Sequence, residues 1–348
     1  MLISPVFSTT PNRCAAWWRK SGVSIGCYAA RMLVAPIQPA GPIPAEALFP
    51  SWRGREPYAE RLKAVREALF GANPGLAGAI TALPFDWFES AWDTGAIVQK
   101  YNDVPAESQA AIASLDEDLR APWLCALMLW HIERFDGVFA ARGLDPEFAL
   151  HYADAFHRIL GQIEKDPAFA DLAKDSFLKD LWLTRVVMIP AFAQVWWPRS
   201  GLAARDVLRA GPAAAAYVFL RCGGRRPFLE GHTHDPVARA YWNEPGWGEA
   251  LRLAALALPA LPQVRGAFGT AWFYDPAILA ISPRISFAQD LQVGRGALRL
   301  KVGSNEAAIA NATATSAERR NRYREGLYLP TDYSIIWSRR DLAAAYGP

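Results

Sequence analysis

The sequence predicts an α+β or α/β protein in which a mostly helical N-terminal half precedes a mixed sheet covered by helices. Up to about residue 200, large apolar side chains recur at the three- and four-residue spacings of amphipathic helices. From about residue 211, short apolar runs bounded by glycine or proline alternate with helical segments, which is typical of about five strands packed under helices. The 348 residues are 52% hydrophobic and 20% charged, which is sufficient for a large core.

The N-terminal half predicts a series of helices and no strand. In the strongest segment, Leu119 to Arg142, large apolar side chains recur at helical spacing and Gly143 follows as a stop. Asp145 and Pro146 are suited to begin the next helix, because aspartate caps a first turn and proline needs no partner there. We predict helices over 57–70, 105–115, 119–142, 145–164 and 167–189.

The C-terminal half predicts strands interleaved with helices. An apolar run at 213–220 indicates a strand, and Gly223-Gly224 after it is a hairpin turn signal. Asn243 and Ser304 are suitable helix caps, and Gly326 is a suitable helix end. We predict strands over 213–220, 227–232, 264–274, 297–302 and 331–337, helices over 243–258 and 304–325, and a short terminal helix.

The charge pattern predicts three segments. Residues 1–45 contain arginine and lysine but no acidic residue, since the first is Glu46, and this pattern is typical of a transit-like leader or an upstream extension. We therefore predict a leader or extension over 1–45, a helical domain over 46–200 and an α/β domain over 201–348.

Composition also bears on location and partners. The four cysteines form no Cys-x-x-Cys pair and no apolar run reaches the ~18 residues of a membrane span, which predicts a reduced cytoplasmic protein without such a span. The net charge of +3 does not favour nucleic acid as a partner. The aromatic residues favour a small-molecule substrate, because such side chains line ligand pockets.

The segment Gly231-His232-Thr233-His234-Asp235 is the sharpest chemical signal. Residues two apart in a strand face the same side, so His232 and His234 can bind one divalent metal, with carboxylates completing the site. The string resembles the metal-binding strand end of amidohydrolase-type barrels, but no histidine follows His234 and eight strand–helix units do not fit in the remaining chain. Two other interpretations stay open: one imidazole is a metal-free general base, or the pair is a solvated strand end.

A second candidate follows the predicted strand 264–274. Aromatic residues lead into Asp275 there, and ligands of open sheets bind at strand ends. If the strands 227–232 and 264–274 are neighbours, His232, His234 and Asp275 converge on one catalytic site. The alternative is that Asp275 caps a turn.

A third candidate is a group of four arginines on the predicted helix 304–325. On a helix, residues three or four apart have neighbouring side chains, as Arg319 and Arg322 or Arg320 and Arg324 would. Such a group of arginines can hold a phosphate or the pyrophosphate of CoA. A solvated helix face is the alternative. The cofactor-binding candidates are Arg319, Arg320, Arg322 and Arg324.

A fourth candidate is the helical run His151-x-x-Asp154-x-x-His157. A carboxylate–histidine pair at this spacing is half of the di-iron site of ferritin-like bundles. The alternative is that the two histidines flank the apolar stripe, while Asp154 is solvated or pairs with Arg158.

Three hypotheses on function follow. The first is a small-molecule enzyme with its site around His232, His234 and Asp275. The second is a CoA-dependent acyltransferase, because the strand–strand–helix–strand order resembles the N-acetyltransferase fold, although Pro245-Gly246-Trp247-Gly248 stands where that family has its phosphate loop. The third is a non-enzymatic binding protein whose helical half contacts a partner.

Overall fold

The computed structural model describes residues 58–93 and 95–347. It confirms a mixed α+β fold, with a helical region followed by a sheet of six strands. The predicted leader over residues 1–45 lies outside the described residues. None of the helices within the described ranges is both long and apolar enough to cross a bilayer.

Helices dominate the chain before the sheet. Helices predicted over 57–70, 105–115 and 145–164 are present with ends shifted by a few residues. The helices are α1 (Tyr58–Ala72), α2 (Leu76–Ala82), α3 (Phe85–Trp92), α4 (Ala106–Ala113), α5 (Glu117–Glu133), α6 (Phe135–Arg142), α7 (Glu147–Lys165) and α8 (Asp175–Thr184).

The second part of the chain carries the strands and shorter helices. The strands are β1 (Ile189–Ala191), β2 (Gln194–Ser200), β3 (Phe228–Thr233), β4 (Gly266–Ala271), β5 (Leu298–Gly303) and β6 (Asp332–Ser338). The helices are α9 (Ala204–Arg209), α10 (Pro212–Ala216), α11 (Asp235–Tyr241), α12 (Glu244–Ala257), α13 (Ile278–Ile281), α14 (Phe287–Val293), α15 (Glu306–Ala314), α16 (Ala317–Arg324) and α17 (Arg339–Tyr346).

Two predictions of secondary structure are wrong for local reasons. Residues 213–220 are not a strand: Gly211-Pro212 begins α10, and a π-helical turn over Tyr217–Arg221 follows. Four consecutive alanines explain this, because alanine is the best helix former and proline suits the first helical position. The helix predicted over 167–189 is shorter in the structure, where β1 begins at Ile189 and β2 follows it. The prediction is wrong there because a continuous apolar run does not distinguish a buried strand from a helix.

Two long predicted helices are each divided in two. The segment 119–142 breaks at Arg134, between α5 and α6. The segment 304–325 breaks before α16, where the Ser316 hydroxyl accepts a hydrogen bond from the Arg319 N–H at 3.3 Å. The cap of α15 is Asn305 and not Ser304, since the Asn305 side chain accepts from Ala308 N at 2.8 Å.

The described residues belong to two compact units. The large unit comprises 58–201, 226–267 and 342–347, and the small unit comprises 202–225 and 268–341. The strand order in the sheet is β1-β2-β3-β4-β6-β5. Within the large unit β1, β2 and β3 pair antiparallel, and within the small unit β5 pairs antiparallel with β6.

Tryptophans hold the loops of the large unit to its core. Buried Trp182 donates its indole N–H to the Tyr101 carbonyl at 2.7 Å, and Trp197 donates to the Gln99 carbonyl at 2.6 Å. On the other face of β2, Trp196 donates to the Ala250 carbonyl of α12 at 3.1 Å. A buried indole therefore supplies apolar area and satisfies a loop carbonyl at once.

The register of β2 and β3 fixes which side chains share a face. Val195 lies opposite His232 and Trp197 lies opposite Glu230, whereas Trp196 lies opposite Gly231. A Cβ atom at Gly231 would lie 2.8 Å from the Trp196 ring, which explains why glycine occupies this strand position.

We predict that Gly231→Ala lowers the free energy of unfolding by about 1–3 kcal/mol, because the added methyl group overpacks the contact with Trp196. Gly137→Ala in α6 is the matched control: nothing lies within 4 Å of its new Cβ, so it is neutral or stabilises by up to about 1 kcal/mol. Urea unfolding of both variants measures the difference. An equal response of the two variants would contradict the packing described.

Candidate functional site

The end of β3 carries a buried histidine that belongs to an ionic group. The His234 backbone N–H donates to the Ala193 carbonyl at 3.0 Å, which holds the residue beside the β1–β2 turn. The His234 residue is 1% exposed, and its Nε2 lies 2.9 Å from Asp180 Oδ1 on α8. Arg158 on α7 donates to both oxygens of Asp180, at 2.8 and 2.5 Å. Two helices and a strand end therefore meet in one hydrogen-bonded group.

The electrostatics of this group favour an ionised carboxylate. Burial alone would raise the pKa of Asp180, but the Arg158 guanidinium and the His234 imidazole outweigh it and hold that pKa well below its ordinary range. Burial would likewise lower the pKa of Arg158, and the Asp180 charge raises it instead. Asp180 is thus a buried anion, paired with Arg158 and hydrogen-bonded to the histidine.

The partners of His234 assign the position of its ring proton. Nε2 lies 3.1 Å from the Arg158 guanidinium and 2.9 Å from Asp180, but arginine only donates and an ionised carboxylate only accepts. The shorter of the two contacts, with the anionic Asp180 oxygen, is favourable only if Nε2 carries the ring proton, so we assign that proton to Nε2 as a donor to Asp180. Nδ1 then carries the lone pair. This atom is buried and has no hydrogen-bond partner among the described residues.

A small cavity adjoins this histidine. Its volume is about 30 Å³, close to the share of one water molecule in the liquid. Its apolar wall includes Phe192 and Val237. Besides His234, the residues with polar side chains in its lining are His151, Asp154, Arg158, Gln194 and Tyr241.

Two further lining residues also carry unpaired polar atoms. Arg158 Nε and Gln194 Oε1 are buried, and neither has a hydrogen-bond partner within the described part of the chain. An unpaired buried donor or acceptor costs free energy, so His234 Nδ1 and Arg158 Nε, both on residues that line the cavity, favour a small polar guest there. The Gln194 Oε1 atom lies instead on the Trp196 face of β2, 3.0 Å from the position of a Cβ atom at Gly231.

The turn that forms one wall of this cavity is strained. Phe192 is the first of the two residues that join β1 to β2, and its φ is +56°, a conformation that favours glycine. Its ring contacts the rings of His151 and Tyr241, with centroids 5.2 and 5.0 Å apart. The Phe192 residue thus forms part of the cavity wall at the expense of backbone strain, and such strain is typical of functional sites.

His232 lies two residues earlier, within β3, and has different surroundings. Its ring packs edge-on against Tyr101, with centroids 4.6 Å apart, and its Nε2 lies 3.4 Å from Glu230 Oε2. Burial would raise the pKa of Glu230, but His232 and the Ser200 hydroxyl outweigh it and lower that pKa. His232 is absent from the lining of the cavity beside His234.

The structure gives no support to a metal at these histidines. Across the described ranges, no group of three or more His, Cys, Asp or Glu side chains is placed to hold a metal ion. The di-iron pattern at His151, Asp154 and His157 lacks such a group as well. Both metal hypotheses stay predictions.

Asp275 belongs to the small unit, whereas both histidines belong to the large unit. It follows a 3₁₀ turn, Trp272–Tyr274, and accepts a hydrogen bond from the Ala277 N–H at 3.0 Å. Burial raises its pKa. The carboxylate therefore caps a turn, and the catalytic role of Asp275 stays a prediction.

The predicted arginine cluster is spread over separate partners. Arg319 is buried, donates to Ser282 Oγ at 2.9 Å and stacks on Trp272 with its guanidinium carbon 4.5 Å from the ring centre. Arg320 donates to carbonyls at the end of α15, and Arg322 pairs with Glu318 at 2.6 Å. Arg324 is exposed. Phosphate binding by the four stays a prediction.

The sequence analysis missed the residues that surround His234. Asp180 and Arg158 lie on helices far from His234 in the chain, and Arg158 was considered only as a partner of Asp154. One signal was available: Asp180 stands between the apolar pairs Phe177-Leu178 and Leu181-Trp182 of a helical segment, and aspartate is rarely buried unless paired.

Neither described cysteine is a candidate nucleophile. Cys125 and Cys222 are buried free thiols, and burial raises the pKa of each to about 12. A thiol with so high a pKa carries almost no thiolate at neutral pH.

No family model, curated protein or solved structure matches this chain. Function therefore has to be argued from the chemistry of the site.

We predict that Asp180→Asn lowers the free energy of unfolding at pH 7 by about 3–5 kcal/mol, because it leaves the Arg158 charge buried without its counter-ion. The pKa of Asp180 is depressed on folding, so its contribution is present above the unfolded pKa of about 3.9 and is lost as the pH falls through the folded pKa. The difference in the free energy of unfolding between the wild type and Asp180→Asn should therefore shrink below about pH 4. Urea unfolding of both proteins at several pH values measures it.

Glu164→Gln is the control for this prediction. Glu164 pairs with Arg61 at the surface, and removal of a surface pair costs at most about 1 kcal/mol. If Asp180→Asn costs no more than Glu164→Gln, the buried ionic group does not contribute as described.

Proposed function

We propose that the protein is an enzyme that acts on a small polar molecule, with His234 as its general base at the carboxyl end of β3. One observation carries the proposal: His234 is hydrogen-bonded through Nε2 to a buried ionised carboxylate, and its Nδ1 is unpaired beside a cavity. A histidine oriented by a carboxylate on one nitrogen and free on the other is the arrangement of a catalytic base.

Each member of the group has a role in this proposal. Asp180 holds the imidazole in the tautomer with the proton on Nε2 and stabilises the imidazolium that forms when Nδ1 accepts a proton. Arg158 keeps Asp180 ionised, since its charge favours the carboxylate form. Asp180 and Arg158 are positioning residues, because they act on the substrate through His234.

The dimensions of the cavity limit the reacting group. A space of about 30 Å³ beside His234 is enough for a water molecule or a hydroxyl group. The hydroxyl group or water that enters gives its proton to Nδ1 as its oxygen forms a bond to the electrophilic centre of the substrate. The bond to the leaving group then breaks, and the imidazolium returns the proton to that leaving group. The reaction class is therefore hydrolysis or transfer to a hydroxyl group.

The proposal also extends to location. We place the enzyme in the cytoplasm, and the two buried free thiols, Cys125 and Cys222, support this because reduced cysteines persist there. The experiments below distinguish this enzyme from the two other hypotheses, a CoA-dependent acyltransferase and a non-enzymatic binding protein.

We predict that His234→Gln lowers any hydrolytic activity found on a panel of p-nitrophenyl esters by about 10²–10⁴-fold, because the general base is lost. His232→Gln is the matched control and retains most of the activity, since His232 lies outside the cavity. Initial rates, with circular dichroism to confirm folding, measure both. Equal losses in the two variants, or an unchanged rate in His234→Gln, would contradict the assignment of the base.

The metal content of the purified protein and of a His232→Ala/His234→Ala variant tests the alternative chemistry. We expect no metal near stoichiometry in either. Stoichiometric metal that disappears in the variant would replace the general-base proposal with a metal site. Thermal stabilisation by CoA would favour the acyltransferase, and inactivity with a stable heterocomplex would favour the binding protein.

A further inference from the structure

A second concave surface of the large unit lies at the opposite end of β3. Its volume is about 660 Å³, and its lining includes Arg226, Arg265, Ile97, Pro227 and Pro262. Arg226 stands two residues before β3 and Arg265 stands directly before β4. Eight residues separate Arg226 from His234, which is roughly 25 Å along an extended strand, so this surface is distinct from the cavity at His234.

The two arginines are held close together by the backbone. The Arg265 N–H donates to the Pro227 carbonyl at 2.8 Å, which places the starts of β3 and β4 side by side. Neighbouring strands are about 4.8 Å apart, so two arginine side chains that start there can reach a single anion.

The charge of this pair is not compensated within the described residues. Arg226 and Arg265 are both exposed, and neither has an ion pair or a side-chain hydrogen bond in the part of the chain that the structure describes. The lining contains no acidic residue. Two like charges this close repel each other, and an anion between them removes the repulsion and gains charge-assisted hydrogen bonds.

The rest of the lining is mainly apolar. Ile97 is 71% exposed, and Pro227 and Pro262 lie in the same concavity. An inorganic ion would leave this surface uncovered, whereas an apolar group attached to the anion would cover it.

We propose that this surface binds an amphipathic organic anion. A phosphate or carboxylate head group accepts hydrogen bonds from Arg226 and Arg265, and an apolar part of the ligand packs on Ile97, Pro227 and Pro262. The site does not depend on the general-base proposal, because it shares no residue with the cavity at His234.

Calorimetric titration with phenyl phosphate, at fixed ionic strength, tests the head-group contacts. Arg226→Gln and Arg265→Gln should each weaken binding by about tenfold, because each removes charge-assisted hydrogen bonds, and the double variant should bind no phenyl phosphate measurably. Arg205→Gln is the matched control, since Arg205 is also an exposed arginine, and it should bind as the wild type does. Undiminished binding by the double variant, or no binding by the wild type, would overturn the proposal.

A second comparison tests the apolar contacts. Ile97→Ser should weaken the binding of phenyl phosphate several-fold and leave the binding of inorganic phosphate unchanged. Equal effects on the two ligands, or no effect on either, would contradict an amphipathic ligand. Thermal unfolding confirms that every variant is folded, as expected for substitutions of exposed side chains.

Discussion

The buried hydrogen-bonded group of Arg158, Asp180 and His234 is the interaction on which the candidate site depends. It joins α7, α8 and the end of β3, which are distant in sequence: 76 residues separate Arg158 from His234. A second contact strengthens the same junction, because Lys179 donates from α8 to the Thr233 carbonyl at 2.8 Å. The position of the histidine is therefore set by the packing of two helices against the sheet.

Stability alone does not account for this group. Burial of two opposite charges costs desolvation free energy, and well-packed apolar residues of similar volume often stabilise a protein as much or more. The group does give His234 a fixed tautomer and orientation, which a buried leucine or methionine cannot provide. Two nearby features also favour a functional role: the strained backbone of Phe192 and the unpaired buried atoms of Gln194 and Arg158. Strained backbone and unsatisfied polar atoms are typically found at functional sites.

Much of the fold could be predicted from the sequence, wherever a local signal sufficed. Helix α7 has a regular apolar stripe, and α12 has Asn243 as its cap, whose side chain accepts from the Gly246 N–H at 2.9 Å. Prediction was wrong where the signal was ambiguous. The apolar run 213–220, with its four alanines, predicts a strand but forms helical turns. The apolar run before Trp197 predicts a helix, because only tertiary pairing reveals β1 and β2.

The site could be predicted in part. The spacing of His232 and His234 indicates that both face one side of the sheet, and this stays a prediction because the register with β2 ends at Thr233. It could not indicate that His232 contacts Tyr101 and Glu230 while His234 contacts Asp180, because those partners come from other elements. A single sequence does not identify the partners of a long-range ion pair, and the one local sign of such a pair is a charged residue beside apolar ones.

The tautomer of His234 tests the central claim most directly. Selective ¹⁵N labelling of the five histidines, with His234→Gln to assign the resonance, reports the protonation of each ring nitrogen at pH 7. The account predicts a proton on Nε2 of His234 and a lone pair on Nδ1. A proton on Nδ1, alone or together with one on Nε2, would contradict a general base oriented by Asp180.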